Sequence, residues 1–270
     1  TSVGGYSMED IIGGESNTSV GYESLNSLTN GDYNNAMGNK SLKSNTTGNY
    51  NTAVGNSSLR DNVSGNNNTA FGQASLQNTT ASNNVAFGYN SALANTSGTR
   101  NIAIGYQAYD AADAEDDNLA IGYDALGGAI AGGEQNIAIG NFSLDANTSG
   151  DNNVAIGYEA LTANTSGVQN VAVGYRALYD NTTGNYNTAT GSWALKKNTT
   201  GANNTAIGYE ALLLSTTGAD NTASGYRALY SNTTGANNTA FGYQAGDVIT
   251  TGTNNVLLGY SADPSAVDGA

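Results

Sequence analysis

A seventeen-residue unit repeats along this chain, and a period of that length belongs to a supersecondary element that stacks on copies of itself rather than to a globular core. Its centre is Asn, then Val, Ile or Thr, then Ala, then Val, Ile or Phe, then Gly. The pentad glycines are Gly21, Gly38, Gly55, Gly72, Gly88, Gly105, Gly122, Gly140, Gly157, Gly174, Gly191, Gly208, Gly225, Gly242 and Gly259. Of the fourteen intervals between them twelve are 17 residues; the one before Gly88 is 16 and the one before Gly140 is 18. The full unit reads Asn-Thr-Ala-Ile-Gly-Tyr-x-Ala-Leu-x-x-Asn-Thr-Thr-Gly-x-Asn, most cleanly from Asn221 to Leu229 followed by Asn232-Thr233-Thr234-Gly235. Unbroken periodicity argues for one continuous domain over residues 1–270, elongated and without an internal linker, whose last coil degenerates after residue 260.

Alternation around the central Ala, as in Val154-Ala155-Ile156 and Ile102-Ala103-Ile104, is a strand signature, and the following Gly marks a turn. Next comes a nearly constant Leu: Leu25, Leu42, Leu59, Leu76, Leu93, Leu126, Leu144, Leu161, Leu178, Leu195, Leu212 and Leu229. The two flanking apolar residues and this Leu are expected to be the three buried aliphatic side chains of each unit. Asn147-Thr148-Ser149-Gly150 and its equivalents carry turn chemistry, because Asn bonds its own backbone and Gly accepts positive φ. The reading is an all-β parallel β-solenoid, or β-roll, of about sixteen coils with two short strands each, rising roughly 75 Å at the usual strand spacing. The sole proline, Pro264, lies outside the regular array, as ladder donors require.

The Asn that opens each pentad, including Asn101, Asn118, Asn136, Asn153, Asn170 and Asn204, is expected to form a stacked amide ladder that satisfies turn backbone groups. At the start, Thr1-Ser2-Val3-Gly4 fits the pentad; at the end, Asp268-Gly269-Ala270 mirrors Thr234-Gly235-Ala236. Neither end reads as a cap, and open strand edges invite head-to-tail pairing.

Composition narrows the function. Eight Lys and Arg against 22 Asp and Glu give a formal charge of −14, which argues against nucleic acid or an anionic membrane as partner. No 18-residue apolar run offers a membrane span, and no basic-then-apolar segment opens the chain. Cysteine and histidine are both absent, which removes disulfides, thiolates, Ser–His and Cys–His systems and imidazole metal ligands. Carboxylates such as Glu159, Asp180 and Glu210 scatter over variable positions and read as a solvated surface, so an enzyme is not expected. The abundance of Asn, Thr, Ser, Gly and Tyr resembles an extracellular bacterial or viral surface protein.

Three rows could carry a surface function. The acidic segment Asp110, Asp113, Glu115, Asp116 and Asp117 replaces the usual turn, and its oxygens could hold a hard cation such as calcium, though the spacing matches no EF-hand and a solvated charge run explains it as well. Tyr follows the glycine at Tyr22, Tyr89, Tyr106, Tyr123, Tyr158, Tyr175, Tyr209, Tyr226, Tyr243 and Tyr260, giving a row of rings that either binds glycans or partner chains or simply stacks. The Thr pairs, among them Thr182-Thr183, Thr199-Thr200 and Thr233-Thr234, line one edge where sugars could be attached or ice bound, although turn propensity alone produces the same letters.

The pentads Asn153-Val154-Ala155-Ile156-Gly157 and Asn101-Ile102-Ala103-Ile104-Gly105 resemble the head repeats of trimeric autotransporter adhesins. The longer Asn-Thr-Ala-Ile-Gly-Tyr-x-Ala-Leu unit is similar to repeats of bacterial and phage tail-fibre-type proteins. The resemblance implies a left-handed parallel β-roll, often a homotrimer, acting as a surface spacer or adhesive head. The expectation is therefore a non-enzymatic extracellular fibre or adhesin component at a cell surface or on a virion. Its partner is itself, as a head-to-tail filament or a homotrimer; the alternative is a tail fibre or a module that binds surface glycans or ice through the Tyr or Thr rows.

Overall fold

A computed structural model describes residues 1–128 and 132–264 of the chain. The reading of Asp268-Gly269-Ala270 lies outside the described residues. The protein is an all-β parallel β-solenoid: sixteen short strands run in chain order from β1 (Ser2–Val3) to β16 (Val256–Leu258), and among the described residues there is no helix, hence none long and apolar enough to cross a membrane. It divides into two compact units, Thr1–Ala138 and Ile139–Ala270.

In the first unit β1 to β8 (Leu119–Ile121) pair consecutively, and each residue sits beside its counterpart one repeat on, as Val85 beside Ile102. The 16-residue interval is absorbed without a register slip, Thr69 pairing with Val85. In the second unit β10 (Val154–Ile156) to β16 repeat the arrangement, with Val154 beside Val171 and Thr205 beside Thr222.

Among the described residues each coil contains one strand, of three residues except for the two-residue β1, not the two expected. The segment opposite the strand also bonds from coil to coil: Leu178 N donates to Ala194 O at 3.0 Å and Asp180 N to Lys196 O at 2.9 Å. It fails to be a strand because its backbone alternates in hand, with Arg176 at φ 53° and Leu178 at φ 51°. Such left-handed residues cost about 1–2 kcal/mol each, and the inter-coil bonds hold them in place. The turn after each strand needs glycine for two reasons. Gly157 has φ 137°, and a Cβ there would lie 2.6 Å from the Gly174 carbonyl oxygen of the next coil.

The interior also differs from expectation. The central Ala of the strands, as in Ala103, Ala155 and Ala206, is fully buried, whereas the flanking Ile102, Ile104, Ile156 and Ile207 face outward and are exposed. The lumen is narrow, so opposite each small Ala a single Leu fills it, as Leu161, Leu178 and Leu212 do. Leu93 is not in that row. It lies five residues after its glycine instead of four, and Ala92, fully enclosed with φ 50°, takes the interior place. The volume lost at Ala92 is recovered one coil on by Tyr109, which is 1% exposed.

Buried Asn side chains complete the interior. The Asn118 N–H donates to Asn101 Oδ1 at 2.9 Å, the Asn136 N–H to Asn118 Oδ1 at 2.9 Å, the Asn170 N–H to Asn153 Oδ1 at 3.0 Å and the Asn204 N–H to Asn187 Oδ1 at 3.0 Å. Each amide also reaches across to a turn carbonyl, as Asn153 Nδ2 does to Gly167 O and Asn204 Nδ2 to Gly218 O, both at 2.8 Å. Buried amides satisfied in this way convert turn carbonyls that would otherwise be orphaned into a continuous ladder.

Candidate functional site

The outward strand face is the most distinctive surface. β-branched and aromatic residues favour the pleated backbone, and alternation sends both flanks of the buried Ala to solvent. Ile207 and Phe241 are each 46% exposed. No strand contains a charged residue, so in a chain of net charge −14 this face is uncharged, with apolar flanks such as Ile102, Ile104 and Ile156 interspersed with hydroxyl-bearing ones such as Thr188, Thr190, Thr222 and Ser224.

An aromatic column runs beside it. The rings of Tyr106 and Tyr123 stack with centroids 5.2 Å apart at 4°, those of Tyr158 and Tyr175 at 5.7 Å, those of Tyr209 and Tyr226 at 5.5 Å and those of Tyr226 and Tyr243 at 4.9 Å. Their outer halves stay exposed. Two coils of the second unit lack this Tyr, carrying Asn141 and Ser192, and there an aromatic residue one place later enters the column. Phe142 packs edge-on to Tyr158 at 6.2 Å, and Trp193 lies 5.9 Å from Tyr175 and 5.5 Å from Tyr209. In the first unit Tyr6 does the same for Gly5, meeting Tyr22 at 5.7 Å. Counting one fixed position misses these substitutes; allowing the aromatic to shift by one residue finds them. Three of the phenols hold their protons more tightly than usual: a hydrogen bond to Glu159 raises Tyr158, the Asp124 charge raises Tyr123, and desolvation followed by Glu210 raises Tyr209.

The Thr edge separates into two rows with different chemistry. The first hydroxyl of each pair is used internally: Thr182 Oγ1 donates to Thr199 O at 3.0 Å, Thr199 Oγ1 to Thr216 O at 3.1 Å and Thr233 Oγ1 to Thr250 O at 3.0 Å. Thr183, Thr200 and Thr234 are exposed, and their hydroxyls bond to no other described residue. The preceding Asn181, Asn198 and Asn232 are fully buried. In the folded coil, then, the second hydroxyl of each pair is both exposed and unengaged, the first is partly exposed but engaged, and these Asn are enclosed.

The acidic coil is dispersed by its own contacts. Asp116 and Asp117 turn to Arg100, at 3.1 and 2.6 Å, and that guanidinium lowers the Asp117 pKa. The Glu115 carboxylate points inward, accepting from the N–H groups of Asp113 at 3.1 Å, Ala114 at 3.0 Å and Gly132 at 3.0 Å. Asp113 accepts from the Thr96 hydroxyl, while Asp110 accepts from Gln107 and is raised by burial. Asp113, Glu115, Asp116 and Asp117 therefore do not converge, and among the described residues no group of three or more acidic side chains is placed to hold a metal ion.

These features define a parallel β-solenoid whose chemistry-bearing side chains mostly serve adjacent coils. No protein-family model matches the chain, and no curated protein matches it.

Proposed function

We propose that this chain is a non-enzymatic structural repeat protein, an extracellular fibre or adhesin component that associates with further copies of itself. The outward strand face carries the reading. Apolar residues recur there in every strand but Thr188–Thr190 and Thr222–Ser224, whose flanks are hydroxyl-bearing, and no strand residue is charged, while the rest of the molecule carries the net charge of −14. Like-charged copies repel elsewhere on their surfaces, so an uncharged face with the same axial period is where they can approach. Burying Ile102, Ile104, Ile156 and Ile207 would contribute roughly 25 cal/mol per Å² of apolar area removed from water. Side-by-side association, as in a homotrimer, uses that face directly; head-to-tail stacking into a filament is the second mode.

The low-charge composition rich in Asn, Thr, Ser and Gly supports placement at a cell surface or on a virion. A glycan-binding role is the second reading, favoured by the half-exposed rings of the Tyr106, Tyr123, Tyr158, Tyr175 and Tyr209 column.

Sedimentation and cryo-electron microscopy of the chain and of an Ile104→Asp, Ile156→Asp double variant test the proposal. Both substitutions lie on the solvent side, so the variant folds. The expected result is a defined oligomer for the parent and a monomer for the variant. A parent that stays monomeric at high concentration, or a variant that assembles as well as the parent, overturns the reading.

A further inference from the structure

A cavity of about 220 Å³ opens in the second unit, lined by Trp193, Lys196, Lys197, Glu210, Leu213 and Leu214. It exists because the repeat is broken here in several rows at once. In the row of Trp193 the neighbouring coils carry Glu159, Arg176, Glu210 and Arg227; in the row of Leu213 they carry Tyr179, Lys196 and Tyr230. On one side the Arg176 guanidinium sits 5.2 Å from both the Tyr175 and Tyr179 rings and pairs with Glu159. On the other the Arg227 guanidinium sits 5.3 Å from the Tyr226 ring and 5.1 Å from the Tyr230 ring and pairs with Glu210. Between these two filled cages both the Arg and the Tyr are missing. Every coil faces the same structural demands, so departures clustered in adjacent coils point to a local task.

The walls specify what would fill the space. Trp193, the only tryptophan in the chain, contributes a flat apolar ring, and Leu213 and Leu214 extend that surface. The indole Nε1 is enclosed and has no hydrogen-bond acceptor among the described residues, so it is the ring face and edge that the cavity offers. Lys197 is held by Asp180 at 2.9 Å and Glu210 by Arg227, whereas Lys196 makes no ion pair with a described residue. A complementary ligand therefore needs one flat apolar face and a negative charge at the rim.

We propose that this cavity is a binding site for one carboxylated pyranose, a uronic-acid type sugar, with its C–H face on Trp193 and its carboxylate on Lys196. The volume suits a single ring, being below the range of pockets that enclose drug-sized ligands. The negative field of the whole chain repels such an anion, so selectivity has to come from these local groups. The inference stands apart from the fibre reading; a self-associating fibre and a monomer could both hold the site.

Because Trp193 is the only tryptophan, its selectively excited fluorescence reports on this cavity alone. Titration with sodium glucuronate is expected to give a saturable change with a Kd on the order of millimolar, and methyl glucoside to bind at least about tenfold more weakly. Leu213→Tyr restores the residue type of Tyr179 and Tyr230, so it folds, and it fills the cavity; Lys196→Ala removes the charge. Both are expected to weaken glucuronate about tenfold or more. An oligouronate that binds more tightly than the monomer places the site on a polysaccharide chain, and equal binding places it on a free or terminal sugar. No saturable change, equal binding of the neutral sugar, stronger binding of benzoate, or an unaltered response in Leu213→Tyr each overturns the proposal.

Discussion

The Tyr109 hydroxyl donates to the main-chain carbonyl of Glu115 at 3.0 Å, taking over a bond that an Asn makes in the preceding coil, where Asn95 Nδ2 reaches Gly98 O at 3.1 Å. Three substitutions are linked in that coil. A Cβ on Gly98 would lie 2.7 Å from Asn95 Oδ1, so a side chain at the equivalent Glu115 requires the Asn to go, and Ala112 stands there. Tyr109 then supplies the missing donor from the Leu row, and Asn118 Nδ2 donates to its oxygen at 3.1 Å.

Tyr109→Phe is accordingly expected to cost about 1–2 kcal/mol, since it leaves the Glu115 carbonyl without that donor. Burial raises the Tyr109 pKa above its ordinary 10.0. The folded protein thus holds this proton more tightly than the unfolded chain does. The stability from Tyr109 is complete below the ordinary value and is lost as pH climbs from there toward the raised one. Denaturant midpoints measured from neutral to strongly alkaline pH should fall more steeply for the parent than for Tyr109→Phe. Parallel curves would show that the buried hydroxyl does not matter.

Ser215 interrupts an inner row of amides. Asn164, Asn181 and Asn198 each pass Nδ2 to the Oδ1 one coil back, at 3.0, 2.9 and 2.8 Å, but at Ser215 the relay stops. Asn198 Oδ1 and Ser215 Oγ are left buried without partners among the described residues. Ser215→Asn restores the residue type of the row and gives Asn198 Oδ1 a donor. A gain of about 1 kcal/mol is expected from chemical denaturation, and a loss would mean that the space beside Gly218 cannot hold the amide.

The period and the parallel coil could be read from the glycines alone, since a ladder in register is the simplest structure that places Gly157, Gly174 and Gly191 in equivalent surroundings. Which strand face looks inward could not be read from hydrophobicity. Ile102 and Ile104 are larger and more apolar than Ala103, yet the lumen between strand and Leu row has room only for the Ala. The better signal was tolerance: flanking positions accept Asn35, Thr188 and Phe241, whereas the centre is nearly always Ala. The cavity at Trp193 was invisible for a different reason. Its walls come from separate coils and become neighbours only when the chain is folded on its period.

Orientation gives a direct comparison within one strand. Ala206 is fully buried and Ile207 is 46% exposed. Ala206→Val adds two methyl groups to a closed lumen and is expected to cost about 1–3 kcal/mol. Ile207→Thr matches the residue type of Thr190 in the adjacent coil and should alter the folding stability of the isolated chain by less than about 0.5 kcal/mol. Thermal unfolding of both variants at low protein concentration separates the two; the opposite order would mean that the strand is turned over.

The Thr edge provides the last contrast, between adjacent residues of one type. The Thr199 hydroxyl donates to Thr216 O at 3.1 Å, while the exposed Thr200 hydroxyl bonds to no described residue. Thr199→Val removes an inter-coil bond and leaves a carbonyl with one partner fewer, an expected cost of about 1 kcal/mol. Thr200→Val touches nothing and should stay within about 0.5 kcal/mol of the parent. The same geometry governs chemistry on this edge. A sugar attached to the folded chain belongs on Thr183, Thr200 or Thr234, where the hydroxyl is open, and not on Thr182, Thr199 or Thr233, whose oxygens are already engaged. Site-resolved mass spectrometry of native material reads this directly, and a sugar on Thr199 would show that it is attached before the coils close.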